Sequence, residues 1–144
     1  MKQADVISRT IVWERFEDHA TIELMVLSRA AEGYRFDGHV LGAEQGRPLR
    51  VEYRIDCDPD WQTVACTIEQ TFGEDATRLV LQRDSDTWSV NGTIDPALAE
   101  CSDVDLGISP STNTLPIRRL GLSIGERRDL RAAWVRFPDR RAHV

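Results

Sequence analysis

Two carboxylates spaced two residues apart are the side chains whose spacing most directly suggests chemistry. Asp103 and Asp105 stand in the segment C-S-D-V-D-L, which has the alternation of a strand. On a strand both would point to one face, about 6.5 to 7 Å apart, a separation compatible with acid and base work on a glycosidic bond. The same alternation fits a polar binding cluster, or an exposed strand with its carboxylates in water. The sequence leaves all three interpretations open.

A polar segment, residues 109–116, follows these carboxylates and leads into Arg118 and Arg119. Its two prolines restrict the backbone, and its Ser, Thr and Asn side chains can hydrogen-bond the main chain, so we expect an ordered loop between two strands. If these strands pair with odd positions opposite odd, Asp105 faces Arg119 as a cross-strand ion pair. A shift of register by one residue removes that pair. The sequence does not choose the register.

Signatures of metal, cofactor and covalent chemistry are absent. The histidines and cysteines lack ligand-like spacing, and no G-x-S-x-G elbow or glycine-rich phosphate loop follows a predicted strand. The sequence therefore assigns no catalytic residue, metal or cofactor. The odd cysteine count without C-x-x-C predicts buried free thiols in a reducing, cytoplasmic compartment. The residues concerned are His19, His39, His143, Cys57, Cys66 and Cys101.

The composition of the 144 residues is that of one globular domain, over residues 1–144. The net charge is −6, and the arginines are spread along the chain, which argues against a nucleic-acid partner. The first residues lack the apolar run of a signal peptide, and no later run is long enough for a transmembrane segment.

Apolar residues alternate with polar ones along most of the chain, which is the signature of strands with one buried face. The predicted strands cover residues 20–27, 34–41, 51–57, 64–72, 77–83, 87–92, 101–108, 117–124 and 130–137. The only helical turn is expected at residues 96–100, after an Asp95 cap. Short connections favour a mostly β fold: a single curved antiparallel sheet that forms an open or half barrel, with very little helix.

The run C-S-D-V-D-L-G-I-S-P-S-T-N-T-L-P-I-R-R-L, residues 101–120, resembles the signature of a bacterial domain family described as glycolipid-binding. Weaker agreement covers Trp13, the Tyr53 strand, the turn at residues 58–61, Trp88 and the Trp134 strand. The resemblance implies a curved antiparallel sheet with an apolar concave face for a lipid, and no established catalytic residues. Family members continue with further strands, so the resemblance implies either a shortened member, whose open sheet edge can pair in a homodimer, or a truncated gene.

These observations favour a non-enzymatic protein that binds a lipid or glycolipid-like amphiphile on the concave face of the sheet. Apolar strand residues would form the walls, and a polar cluster would bind the head group. One alternative is a hydrolase or isomerase that acts on a glycoconjugate through the two aspartates. Another is a structural or assembly protein. The predicted ligand-binding residues are Asp103, Asp105, Asn113, Arg118, Arg119 and Trp134.

Overall fold

Eight consecutive strands form one antiparallel meander, in which each strand pairs with its neighbours in sequence. The computed structural model describes residues 6–16, 20–139 and 141–144, so His19 lies outside the described residues. The strands are β1 (Val6–Arg15), β2 (Thr21–Ala30), β3 (Gly33–Glu44), β4 (Arg47–Cys57), β5 (Thr63–Phe72), β6 (Asp75–Asp84), β7 (Thr87–Val90) and β8 (Thr93–Ile94). The first and last of them do not pair with each other, so the sheet is not closed.

Strands account for 58% of the structure, which confirms the predicted mostly β fold. A tight turn at Asp58 interrupts the meander as the sequence predicts: its carboxylate accepts hydrogen bonds from the backbone N–H groups of Asp60 and Gln62, each at 2.9 Å. This side chain replaces ladder partners that the backbone loses between β4 and β5. Local hydrogen bonds of the Asp58 side chain therefore stabilise the turn that joins β4 to β5.

A second, three-stranded sheet lies beyond the meander and was not predicted from the sequence. It consists of β9 (Asp103–Leu106), β10 (Ala132–Val135) and β11 (Ala142–His143). The central strand β10 is parallel to β9 and antiparallel to β11. Parallel neighbours need a long crossover connection, and here it is supplied by residues 107–131. The alternation of apolar and polar residues along a strand does not show which distant strand it pairs with.

Three short helices flank this second sheet. Two are 3₁₀ helices, Pro96–Leu98 and Pro110–Asn113, and the third is the α-helix α1, Thr114–Leu120. Asp95 caps the first, as predicted, by accepting a hydrogen bond from the Ala97 N–H at 3.0 Å. Helix α1 ends at Gly121, whose φ of 54° suits a residue without a side chain. No helix among the described residues is long and apolar enough to cross a membrane.

The strand predicted at residues 117–124 is wrong, because its first residues belong to α1. Pro116 can occupy the first turn of a helix, where its missing N–H needs no partner. Leu115 is buried against the core, and Ile117 remains exposed. The alternating apolar residues of this segment are thus compatible with a strand, but packing against the core favours a short helix.

The core lies between the inner face of the meander and the chain segment that follows it. Buried side chains on the meander include Phe36, Val51, Ile55, Ile68, Leu81 and Trp88. They face Leu98, Cys101, Val104, Leu106, Leu115, Ala133 and Val135, which come from the 3₁₀ turn, α1 and the second sheet. Most of the inner face is therefore occupied by the protein's own side chains.

The buried face of β2 is the opposite of the one that its alternation suggests. Ile22 and Leu24 are 48% and 43% exposed, whereas Thr21, Glu23 and Met25 are buried. The β2–β3 register explains this, because Glu23 pairs with Val40, which points into the core. Neighbouring residues in register share a face of the sheet. A carboxylate is thereby brought inside the molecule.

Candidate functional site

A buried carboxylate with three hydroxyl groups around it is the most distinctive polar feature of the interior. Glu23 is only 3% exposed. Its Oε1 accepts hydrogen bonds from the Tyr53 hydroxyl and from Ser109 Oγ at 2.7 Å. Ser111 Oγ lies 2.7 Å from the Tyr53 oxygen and 2.6 Å from Ser109 Oγ. We call Glu23, Tyr53, Ser109 and Ser111 the buried cluster.

Gly38 allows Tyr53 to reach Glu23 across an intervening strand. Tyr53 on β4 is directly opposite Gly38 on β3, and a Cβ placed on Gly38 would lie 2.0 Å from Tyr53 Cζ. The phenol ring therefore lies over a position that only glycine can leave open, and its hydroxyl extends toward β2. The space left by glycine on β3 thus allows Tyr53 of β4 to hydrogen-bond Glu23 of β2.

The two serines are placed by the start of a 3₁₀ helix. Ser109 is the N-cap, and its Oγ accepts a hydrogen bond from the Ser111 N–H at 3.0 Å. The preference of serine for such caps explains why the chain turns here. The cap also directs both hydroxyl groups toward Glu23 and Tyr53, so local turn chemistry completes a site built from distant strands.

Burial controls the ionisation of the cluster. It raises the pKa of Glu23 above its usual range, and the hydrogen bonds from Tyr53 and Ser109 offset only part of this rise. Burial also raises the pKa of Tyr53, and the negative charge of Glu23 raises it further. Tyr53 is therefore a hydrogen-bond donor throughout the neutral range, and Glu23 is the group that can change its charge.

A cleft of about 340 Å³ opens beside Glu23 at the β1–β2 end of the inner face. It is lined by Trp13, Glu14, Arg15, Thr21, Glu23 and residues 107–110. Glu23 Oε2 is buried and has no hydrogen-bond partner among the described residues. An unpaired buried acceptor is unusual, because natural structures satisfy nearly all such groups. Glu23 thus combines a buried, unpartnered oxygen with a position beside the cleft.

The polar residues predicted from the sequence are only partly brought together. Asp103 is 1% exposed and accepts hydrogen bonds from Arg119 Nη2 at 2.5 Å and Nε at 3.3 Å. Arg119 comes from α1 and Asp103 from β9. The cross-strand pair of Asp105 and Arg119, which one of the two possible registers would have formed, does not occur, because Arg119 lies on a helix and bonds Asp103 instead.

Asp105 instead meets Trp134 and Thr112. Asp105 and Trp134 are side by side in the parallel β9–β10 ladder, and Thr112 Oγ1 donates a hydrogen bond to Asp105 Oδ1 at 2.9 Å. Asn113 is exposed. Arg118 is exposed and lies over the Trp61 ring, 5.6 Å from its centroid. Contact of these residues with a ligand stays a prediction.

The two aspartates do not form a free acid and base pair. Asp103 is neutralised by Arg119, and Asp105 is hydrogen-bonded by Thr112. Neither residue lines the cleft beside Glu23. An acid–base pair needs both carboxylates open to the same substrate, so this geometry does not favour the hydrolase or isomerase alternative.

The apolar strand residues, which the sequence predicted as walls of a ligand site, belong mostly to the packed core. Val51, Tyr53, Ile55, Ile68, Leu79 and Leu81 are buried, whereas Val64, Leu122 and Trp134 are each at least two fifths exposed. Because the second sheet and α1 pack against the inner face, little of it is left for a ligand. The cleft at the β1–β2 end is where that face remains open.

Comparison with known proteins identifies the family. A family model described as "Putative glycolipid-binding" matches residues 10–144. The chain belongs to this family. A crystal structure of a DUF1089 family protein from Pseudomonas aeruginosa is similar at a TM-score of 0.76 and 27% sequence identity, over 91% of this chain and 70% of that chain. A search of curated proteins found no match.

For this member of the glycolipid-binding family, sequence reasoning missed Glu23 and gave the serines only a loop-shaping role. The clue to Glu23 was the β2–β3 hairpin, in which Ala30 pairs with Gly33 across a two-residue turn. Counting back from that turn places Glu23 opposite Val40 and hence inside. The cluster itself could not be found in this way, because it also needs β4 and residues 109–111.

Two hollows on the outer face of the meander are lined mainly by charges that already have partners. One of about 320 Å³ on the outer face of the meander includes Asp37 and Arg54, whose side chains are 2.8 Å apart. Exposed ion pairs of this kind contribute little binding specificity or stability. No group of three or more potential metal ligands occurs among the described residues. The Glu23 cleft is therefore our candidate site.

Proposed function

We propose that this protein binds a glycolipid-like amphiphile, with the hydroxyl-bearing head in the Glu23 cleft. The observation that supports this most directly is the buried Oε2 of Glu23, which has no hydrogen-bond partner within the described part of the chain and belongs to a residue that lines the cleft. Leaving a buried acceptor unpaired costs about 1–3 kcal/mol. A hydroxyl group of a ligand would supply the missing donor and remove that cost.

The chemistry of the cleft walls suits such a head. Trp13, Ile108 and Pro110 offer apolar surface, and Glu23 and Ser109 offer hydrogen-bonding groups at one end. Ligand sites typically combine mostly apolar walls with a few convergent polar groups. A sugar ring has both kinds of surface: its C–H face can pack on an indole, while its hydroxyl groups donate to a carboxylate.

The cleft also refines the expected position of the ligand. The sequence predicted binding on the concave face of the sheet, and Trp13, Thr21 and Glu23 line the cleft at the β1–β2 end of the inner face. A ligand there would occupy the part that the second sheet leaves uncovered. Membership of the glycolipid-binding family supports the same class of ligand. The three free cysteines are in keeping with a cytoplasmic location.

Titration with octyl β-glucoside below its critical micelle concentration tests this function. Isothermal titration calorimetry should show saturable binding, and octyl sulfate, which has a similar tail and an anionic head, should bind at least about tenfold more weakly. Native mass spectrometry of the freshly purified protein should also show a bound amphiphile. Equal binding of both probes would indicate recognition of the tail alone and would contradict the proposed role of Glu23.

The Glu23→Ala variant distinguishes binding in the cleft from binding elsewhere on the surface. It removes the acceptor of the ligand hydroxyl, a charge-assisted hydrogen bond of about 1.5–3 kcal/mol, so affinity for octyl β-glucoside should fall at least about tenfold. Glu32→Ala is the matched control, because Glu32 is exposed and lies outside the cleft. If both variants bind as the original protein does, the ligand does not use Glu23.

A further inference from the structure

A half-exposed tryptophan marks the outer surface of the second sheet. Trp134 is 42% exposed and stands next to Asp105 in the β9–β10 ladder. Asp105 Oδ1 accepts a hydrogen bond from Thr112. The guanidinium of Arg136 lies over the indole, 5.5 Å from the ring centroid. An aromatic surface is thus flanked by a carboxylate and by a guanidinium group.

Gly107 connects this tryptophan to the Glu23 cleft. It lines the cleft, and a Cβ placed on it would lie only 2.8 Å from Trp134 Nε1. The backbone of Gly107 is not in the left-handed region, so the glycine is needed for this close approach and not for its φ. The indole therefore borders the same residue that forms one edge of the cleft.

From this juxtaposition we infer that Trp134 is a second sugar subsite, so that the preferred head group has at least two sugar rings. This inference rests on the proposed binding in the Glu23 cleft. The first ring occupies the cleft, and the second passes over Gly107 and packs against the indole. Asp105 accepts a hydroxyl proton of the second ring, and Arg136 moves aside from the indole to donate to it.

The arrangement explains why this exposed aromatic stands where it does. A tryptophan with a face in water retains apolar surface that a ligand can cover. The flat indole can pack against the C–H face of a sugar ring, while Asp105 and Arg136 beside it can accept from and donate to the sugar's hydroxyl groups. An alkyl tail would cover the indole but would offer no hydrogen-bonding group to Asp105 or Arg136.

Two detergents with the same tail and different heads test the second subsite. Octyl β-maltoside carries one glucose ring more than octyl β-glucoside, and we expect it to bind about 3- to 10-fold more tightly. In Trp134→Ala this advantage should disappear, while the affinity for octyl β-glucoside stays unchanged. Ile117→Ala removes another exposed apolar side chain and should leave both affinities as they are.

Each outcome of this comparison has a distinct meaning. Equal binding of the two probes to the original protein, or an advantage of maltoside that survives in Trp134→Ala, overturns the second subsite and leaves the first intact. Binding of neither probe overturns the proposed function, and the subsite with it. Trp134→Phe keeps the test valid if the alanine variant misfolds. Phenylalanine retains an aromatic face, so this variant should keep part of the preference for octyl β-maltoside.

Discussion

Arg119 on helix α1 forms a bidentate ion pair with Asp103 on β9, and this pair joins the helix to the second sheet. Asp103 is almost fully buried, and the Arg119 side chain is 18% exposed. A buried carboxylate is tolerated only when its charge is compensated. The pair therefore connects the orientation of the helix to the position of the strand, and removal of either partner should have unequal effects.

We expect Arg119→Ala to destabilise the protein more than Asp103→Asn does. The first change leaves a buried charge unpaired, at a cost of about 3–5 kcal/mol. The second removes the charge and keeps the shape, and the arginine can still reach water, so the loss should be about 1–3 kcal/mol. Urea denaturation gives both values. Arg118→Ala is the control, because that exposed neighbour should cost less than about 1 kcal/mol.

The same ion pair shows what the sequence could not reveal. Asp103 and Arg119 were both recognised as candidates, but the pair that the sequence suggested, in one of two possible registers, was Asp105 with Arg119 between two strands. Seven residues are too few for periodicity to distinguish a helix from a strand, and the choice is made by contacts of α1 with the core and with Asp103. By contrast, the strands from β3 to β6 and the Asp58 turn follow from local patterns and were predicted correctly.

Replacing Glu23 by glutamine should change how stability depends on pH. The folded protein raises the pKa of Glu23 above its usual value of 4.5. As the pH rises from that value through the raised pKa, the unfolded chain loses its proton first, so stability falls by at most about 1.4 kcal/mol per pH unit. Glu23→Gln lacks this ionisation and should gain stability over the original protein in that window.

Free energies of unfolding from urea titrations at several pH values check this prediction. The difference between Glu23→Gln and the original protein should grow with pH and level off once Glu23 is ionised in the folded state. Glu32→Gln provides the comparison, because this exposed carboxylate should give no such trend. A difference that is independent of pH would mean that Glu23 ionises normally in the folded protein.

Gly38→Ala should disrupt both the packing and the candidate site. The new methyl group would fall 2.0 Å from Tyr53 Cζ, and the phenol could not move without losing its hydrogen bond to Glu23. We expect a loss of about 3 kcal/mol or more in unfolding free energy, as for overpacking combined with a broken buried hydrogen bond.

The adjacent exposed residue supplies the control for this substitution. His39→Ala changes a side chain on the outer face of the same strand and should shift the unfolding free energy by less than about 0.5 kcal/mol. Thermal unfolding followed by circular dichroism is sufficient to compare them. Similar midpoints for Gly38→Ala and the original protein would show that Tyr53 does not need the space over Gly38.

The three cysteines should be inert in the folded protein. All are free and buried. Burial raises the pKa of Cys57 and Cys66. Nearby carboxylates raise the pKa of Cys57 further, and Cys57 and Asp56 raise that of Cys66. Burial also raises the pKa of Cys101, even though Arg131 acts in the opposite direction. Because the thiolate is the reactive form, Ellman's reagent at mildly alkaline pH should label the native protein only through slow opening of the structure.

In concentrated guanidinium chloride the same reagent should label all three thiols rapidly. The native reaction should accelerate with urea in proportion to the population of opened molecules, which links labelling to unfolding. Cys101→Ser tests the residue whose carbonyl accepts the Trp88 indole N–H at 2.9 Å. Since that hydrogen bond uses the backbone, the variant should retain it and lose only the labelling of one thiol. A thiol that reacts at once in the native protein would mean that the core around it is open to solvent.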